Sequence, residues 1–377
     1  MNEATAAIDI SWRSALTFAV CLPIVIIALM LLARRVERAA NRWLAAFLIV
    51  AAMAQIPQII GFAGFYAVWP GLTFAPFSLE LFAGPCLYLH AYSLMRAESP
   101  VWHKWLLLPG GIQLLYYLWA FLTLGDYKAK WAYNDAVHVP YIMPVETALN
   151  IALILFAAVA IYRLVQQYRQ FLQQTQSAAL DFDPSWLTQL IVAIVAGGGL
   201  FSAIELAPYF FEDVSYVDEY PLQIALTIVV AWIGFQALAK TIVTFPKMTS
   251  SPSVHGSNGA SDKDWHQESA VLEAAVVDGA WFLESRLSIG EVASRLATNE
   301  TYVSRAVNKG RGQTFNAFIN DLRVTHAKTL LLTAEQPLLE IAAASGFNSK
   351  ATFNRVFRDS VGMTPTQFKR SQTSQNP

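Results

Sequence analysis

Lys350, Ala351, Asn354, Arg355 and Arg358 fall on one side of a short helical segment, and side chains of these kinds pair with the base edges and phosphates of DNA. The apolar side of the same segment is spoken for: Phe353, Val356 and Phe357, with Ile341 and Ala342 just upstream, recur at helical spacing and can close a small core. The polar face is therefore left to enter a major groove. The elements needed to hold it there follow in order. Leu338 to Ser345 reads as a helix, Gly346 to Ser349 as a turn and Lys350 to Val361 as a second helix, closed by Gly362, Met363, Thr364 and Pro365. Gly346 sits where such a turn needs a positive φ, and Asn348 and Ser349 supply N-cap chemistry.

The same pattern occurs some fifty residues earlier. Ser288 and Glu291 form an S-x-x-E capping box at the start of SIGEVASRL. A turn through Ala297, Thr298 and Asn299 leads to a second helix from Glu300 to Asn308. Between the two units, Thr314 to Thr333 carries an amphipathic stripe of Phe315, Phe318, Ile319, Leu322, Ala327, Leu330 and Leu331. It reads as one rigid helix joining two reading heads.

With LSIGEVASRL, INDLRVTHAKTLL, IAAASGFNSKATFNRVFRD and GMTPTQFKR in this order, Leu287 to Arg370 resembles the DNA-binding domain of the AraC/XylS family of transcriptional regulators. The resemblance implies a seven-helix domain whose central helix holds two helix-turn-helix heads about one duplex turn apart, roughly 34 Å. Carried over by motif, the base-facing positions are Thr301, Ser304 and Arg305 in the first head, and Lys350, Ala351, Asn354 and Arg355 in the second. Arg358, Lys369 and Arg370 are expected on the DNA backbone. The first head departs from the family pattern: Ala297 stands where a glycine is usual, so a positive φ there would be strained.

Charge follows the same division. The chain carries a net charge of −1, but from Tyr302 onward ten basic residues face four acidic ones. That excess suffices for several phosphate contacts and a salt-dependent affinity.

The first 245 residues are a different material. The whole chain is 55% hydrophobic and 14% charged, with a positive mean hydropathy, which one water-soluble domain does not accommodate. Seven stretches reach spanning length, near Ser14–Ala33, Trp43–Phe65, Leu72–Met95, Trp105–Leu124, Ile142–Tyr162, Trp186–Phe211 and Leu222–Val243. Runs such as IALILFAAVAI are apolar all round, which argues against buried helices of a soluble domain. The first run lacks a basic leader and ends in Arg34 and Arg35, unlike a signal peptide. Alternate loops hold ten Lys and Arg on one side against Arg13, Lys128 and Lys130 on the other. The basic side is expected in the cytoplasm, with the N-terminus outside and the C-terminal domain inside.

The expected fold is thus all-α: a seven-helix transmembrane bundle (1–245), a flexible Ser/Gly-rich linker (246–264) and a soluble AraC-type double helix-turn-helix domain (265–377), whose first helix falls within Trp265 to Glu284. The Gln-rich loop Arg163 to Asp183 reads either as a solvated helix end or as an extension touching the DNA-binding domain. Gly84-Pro85-Cys86-Leu87-Tyr88-Leu89 and the following His103 segment resemble bacterial membrane-embedded AraC-type regulators. Glu80, His90 and Glu205 are candidates for a signal pocket, because ionisable groups within spans are costly. Glu146 reads as interfacial and solvated.

No phosphate loop, nucleophile elbow or H-x-x-x-H pair is present, and Cys21 and Cys86 both lie in apolar runs, so neither catalysis nor a metal or cofactor is expected. The function expected is a transcriptional regulator in the bacterial inner membrane whose apolar part senses a signal. The alternative is a transporter-like or partner-binding module whose state the DNA reader reports. Expected partners are double-stranded DNA, the lipid bilayer, an unidentified signal ligand, RNA polymerase and a second copy of the chain.

Overall fold

The computed structural model describes residues 8–98, 100–206, 220–240, 244–249, 263–333 and 336–373, with side chains omitted at 200–206, 240 and 373. Among these, every regular element is helical, and β-structure is confined to isolated bridges. The chain divides into two compact units, one of Met1–Val165 with Pro184–Thr249 and one of Gln166–Asp183 with Ser250–Pro377.

In the first unit, helix α1 (Trp12–Ala33) starts at Ser11, whose hydroxyl accepts from Ser14 N. It packs on α2 (Arg38–Met53), burying Ile24, Ala28 and Leu31 against Leu44 and Leu48. Two short helices, α3 (Ile56–Phe62) and α4 (Phe65–Val68), lead to α5 (Ala83–Met95), and α6 (Leu108–Thr123) and α7 (Tyr127–Tyr133) follow. A π-helical segment, Asn134–Ile142, contains Pro140 and runs directly into α8 (Met143–Thr175). Helices α9 (Ser185–Leu206) and α10 (Tyr220–Lys240) complete the unit. Among the described residues, six helical stretches are long and apolar enough to cross a membrane: Trp12–Ala33, Arg38–Phe62, Val101–Thr123, Tyr127–Thr175, Ala179–Gly199 and Tyr220–Ala239. Large apolar side chains point outward along them, including Phe18, Leu22 and Leu29 on α1 and Leu115 and Leu122 on α6.

The third expected span, Leu72–Met95, is not one helix. Pro76 and the positive φ of Phe74 interrupt it, a 3-10 turn covers Glu80–Phe82, and α5 has only 13 residues. That is about 20 Å of helix against an apolar bilayer core of about 30 Å. Gly84 explains the position of α5: a Cβ there would lie 2.8 Å from Leu153 O of α8, so only glycine allows the two backbones to come this close. The expected linker also starts later than its composition suggested. Lys247 Nζ pairs with Glu37 and donates to Ser93 O and Leu94 O, and Met248 N donates to Met95 O at 2.8 Å, so residues 247 and 248 are pinned within the first unit. Residues 250–262 lie outside the described ones.

Besides the C-terminal end of α8, the second unit contains seven α-helices among the described residues: α11 (Trp265–Asp278), α12 (Ile289–Arg295), α13 (Glu300–Arg311), α14 (Phe315–Thr333), α15 (Leu338–Ala344), α16 (Lys350–Val361) and α17 (Pro365–Thr373). Two hydrophobic cores share α14. Its N-terminal half gives Phe315, Phe318 and Ile319 to a core with Leu272, Val292, Val303 and Val307. Its C-terminal half gives Val324, Ala327 and Leu331 to a core with Ile341, Phe353 and Phe357. One 19-residue helix thus belongs to both heads and ties them together.

Candidate functional site

Each head is assembled by local chemistry. Ser288 and Glu291 form the full capping box of α12, with Ser288 N donating to Glu291 Oε2 at 2.7 Å. Asn299 caps α13, its Oδ1 accepting from Tyr302 N at 2.8 Å. The intervening turn places Ala297 at a φ of +50°, the strained conformation expected where glycine was missing. In the second head Ser349 caps α16, accepting from Thr352 N at 3.1 Å. Gly346 takes a φ of +82°, and a Cβ there would meet Leu283 O at 2.8 Å and Phe282 O at 2.9 Å.

Both second helices bury one face and offer the other. On α16, Phe353 and Phe357 are buried while Lys350, Ala351, Arg355 and Arg358 are exposed and Asn354 is half-buried. Arg355 has Asp359 one turn away at 3.9 Å, with both side chains more than half exposed, a pairing too weak to hold the guanidinium back from another partner. On α13, Val303, Ala306 and Val307 are buried, Thr301 is exposed, and Ser304 and Arg305 are half-buried. Ser304 Oγ accepts from Asn308 Nδ2 at 3.1 Å, so that hydroxyl is already oriented.

The model of a helix-turn-helix domain family matches residues 292–371. The segment is 29% identical over 87 residues to the melibiose operon regulatory protein of Escherichia coli (strain K12), covering 23% of this chain and 29% of that one. Residues 292–371 are a helix-turn-helix domain of the AraC type. An uncharacterized HTH-type transcriptional regulator of Staphylococcus aureus (strain COL) is 31% identical over 83 residues, covering 22% of this chain. The chain spans 11% of that relative's length. Among solved structures, the C-terminal domain of AraT, a response regulator from Geobacillus stearothermophilus, is 25% identical, covering 29% of this chain and 86% of that one with a TM-score of 0.25. The C-terminal domain of the response regulator yesN from Fusobacterium nucleatum is 24% identical, covering 27% and 98%, with a TM-score of 0.25.

The AraC-type domain is joined by a segment from far upstream in the chain. Residues 166–183 belong to the same compact unit and form a strap over α14. Ser177 N donates to Leu287 O at 3.0 Å, and Asn316 Nδ2 donates to Ser177 O at 2.7 Å. Asp181 accepts from Asn348 Nδ2, whose side chain also reaches Ser285 O. Of the two readings open for the Gln-rich loop, the structure favours contact with the DNA-reading domain. At the centre lies Arg323, only 2% exposed, donating to Phe282 O at 2.7 Å, Glu284 O at 2.7 Å and Ser177 Oγ at 3.1 Å. Burial pulls its pKa down to about 10, partly opposed by Asp181, so it stays charged at neutral pH. An arginine in an amphipathic stripe reads as surface from sequence, and nothing local marks it as a hub.

The signal-pocket candidates separate. Glu80 lines a cavity of about 670 Å³ in the first unit, together with Gln113, Tyr117, His138, Glu146 and Asn150. His90 does not reach it. It is fully buried, bonds Ala40 O through Nδ1 at 2.8 Å and packs against the Trp186 ring, which makes it a tie between α5 and α2. The side chain of Glu205 lies outside the described residues. Glu146, expected to be interfacial, instead faces the cavity and accepts from the Tyr117 hydroxyl at 3.2 Å.

Proposed function

We propose that this protein is a sequence-specific DNA-binding transcriptional regulator embedded in the bacterial inner membrane, in which the apolar unit senses a signal and controls the cytoplasmic reader. The carrying observation is one 19-residue helix shared by the cores of two helix-turn-helix heads, each presenting the polar face of its second helix. Thr301, Ser304 and Arg305 read bases in one major-groove segment, and Lys350, Ala351, Asn354 and Arg355 read the next. Arg358 holds phosphate. That the E. coli relative is a regulatory protein of the melibiose operon supports the regulatory role.

Membrane embedding is supported by the apolar side chains exposed along the six long helices, which water would penalise by about 25 cal/mol for each Å². In this reading residues 72–95 make a seventh, discontinuous crossing, tolerated because its irregular part lines a cavity. The N-terminus then lies outside, and the reader meets DNA in the cytoplasm. Residues 265–377 with the strap are the reading unit, 249–264 the tether, and RNA polymerase and a second copy of the chain its protein partners.

Genome-wide chromatin immunoprecipitation of the full-length protein beside an Asn354→Ala/Arg355→Ala version tests the reading. Discrete peaks lost in the variant are expected. Peaks that persist unchanged overturn the base-reading assignment, and an absence of peaks from a protein that also fails to bind DNA fragments in vitro overturns the regulator.

A further inference from the structure

The cavity of the first unit has the chemistry of a ligand site rather than of a packing defect. At about 670 Å³ it has the size of small-molecule pockets, and its walls combine apolar surface from Ile151, Ile154 and Val195 with a few converging polar groups. On the α9 side, a Cβ added at Gly198 or Gly199 would meet nothing within 4 Å, so those two positions open onto space.

The polar groups are unbalanced in one direction. Two carboxylates, Glu80 and Glu146, line the cavity, and no Lys or Arg is among the described lining residues. Their neutral donors are already engaged: Gln113 Nε2 donates to Glu80 Oε2 at 3.4 Å and the Tyr117 hydroxyl to Glu146 Oε2 at 3.2 Å. Gln113 Oε1 is taken by Leu81 N at 3.2 Å, and the Tyr116 hydroxyl pairs with His138 Nδ1 at 2.9 Å. Independently of the carboxylates, Asn150 Oδ1 is a buried acceptor with no hydrogen-bond partner among the described residues. Buried acceptors without donors are rare in folded proteins, and two carboxyls lining one apolar-walled cavity are accommodated either by protons or by a positive charge that takes their place. What fits is a group that brings positive charge and several N–H donors on an apolar body.

We propose that this cavity binds a small organic ammonium ion, a primary amine carried on an apolar body, and, resting on the sensor reading above, that this ion is the signal. Glu80 and Glu146 supply the counter-charge and Asn150 Oδ1 accepts an N–H. The ammonium has three donors to distribute among them. The volume and the apolar walls favour an organic cation over a bare metal ion, whose ligands would be oxygens throughout.

The test uses full-length protein in phosphatidylcholine nanodiscs, titrated calorimetrically with 2-phenylethylammonium, the neutral 2-phenylethanol and the anionic 3-phenylpropanoate, with empty nanodiscs subtracted. Saturable binding of the amine is expected, at least tenfold tighter than the alcohol, with none for the carboxylate. Glu80→Gln and Glu146→Gln should each weaken the amine at least tenfold, and Asn150→Asp should tighten it, a gain that misfolding cannot imitate. Equal binding of amine and alcohol, no saturable amine binding, or Glu→Gln variants that bind as wild type would overturn the proposal. So would calcium binding abolished by the same substitutions in place of amine binding. DNA affinity of the same preparation separates the two readings. Amine binding that leaves it unchanged keeps the site and removes its signalling role, whereas DNA reading without amine binding keeps the regulator and removes the ammonium.

Discussion

Arg323 Nη2 donates to Ser177 Oγ at 3.1 Å across 146 positions of sequence, joining the central helix of the DNA-reading unit to a strap that precedes α9. The same guanidinium binds the carbonyls of Phe282 and Glu284, at the end of the first core, beside the Gly346 turn between the two helices of the second head. One buried charge therefore gathers the strap, the segment leading into α12 and the central helix. Because the strap is continuous in sequence with α8 on one side and α9 on the other, it is also the second covalent link, besides residues 249–264, between the apolar helices and the reader.

Replacing Arg323 by Met leaves two carbonyls without their donor, at a cost of about 2 to 4 kcal/mol, and Ser177→Ala removes one charge-assisted hydrogen bond, about 1.5 kcal/mol. In the full-length protein, hydrogen exchange over 176–182 and 282–288 should accelerate in both variants, more in Arg323→Met. Asp181→Ala should loosen the strap at Asn348, and selection from random DNA should then show greater tolerance of altered spacing between the two half-sites. Unchanged exchange in all three would remove the strap's positioning role.

Base reading and backbone holding differ in their signatures. Asn354→Ala should cost about 1 to 3 kcal/mol on the preferred site and relax choice at one base position. Arg358→Ala should weaken all sequences alike and lower the salt dependence by about one phosphate. Sequence-blind losses of equal size at both positions would show that α16 does not read bases.

Two turns carry opposite predictions. Ala297, at a φ of +50°, pays for a left-handed conformation that glycine adopts freely, so Ala297→Gly should stabilise the first head by about 0.5 to 1 kcal/mol. Gly346→Ala should destabilise the second by about 2 kcal/mol or more, since the new Cβ would press on two backbone carbonyls as well as strain φ. Local hydrogen exchange in α12 and α15 reads both.

Acid should loosen the first head. The Tyr302 hydroxyl and then Lys263 hold the Glu268 carboxyl below its ordinary range, and Arg295 does the same for Glu284. Carboxylates with a depressed folded pKa give stability that is present above the unfolded value and lost as pH falls through the folded one. Protection of α11 and α12 should therefore decline below about pH 4.5, the ordinary carboxylate value, and Glu284→Gln should flatten part of that decline. A decline already complete at pH 6 would point to another group.

The two heads were legible because their determinants are local: the Ser288–Glu291 box, the Ser349 cap, Gly346 and the Phe353–Phe357 spacing all act within one or two helical turns. The strain at Ala297 was legible for the same reason, as were the apolar runs that form long helices, since length and hydropathy are properties of contiguous sequence. Hydropathy averages over the irregular backbone at Phe74 and Pro76 that breaks residues 72–95 before α5, and it does not tell that Gly84 lets α5 approach Leu153 of a helix some seventy residues away. Nor did it tell which way a polar residue on an apolar helix points: Glu146 looked interfacial and faces a cavity, while His90 looked like a pocket residue and ties α5 to α2. The sequence by itself thus determined two helix-turn-helix heads on one axis and a chain of apolar helices. Only the tertiary structure decided that Arg323 is a hub, that Ser177 and Asp181 belong to the DNA-reading unit, and that Glu80, Glu146 and Asn150 share one space, because each depends on contacts between distant segments that no local pattern encodes.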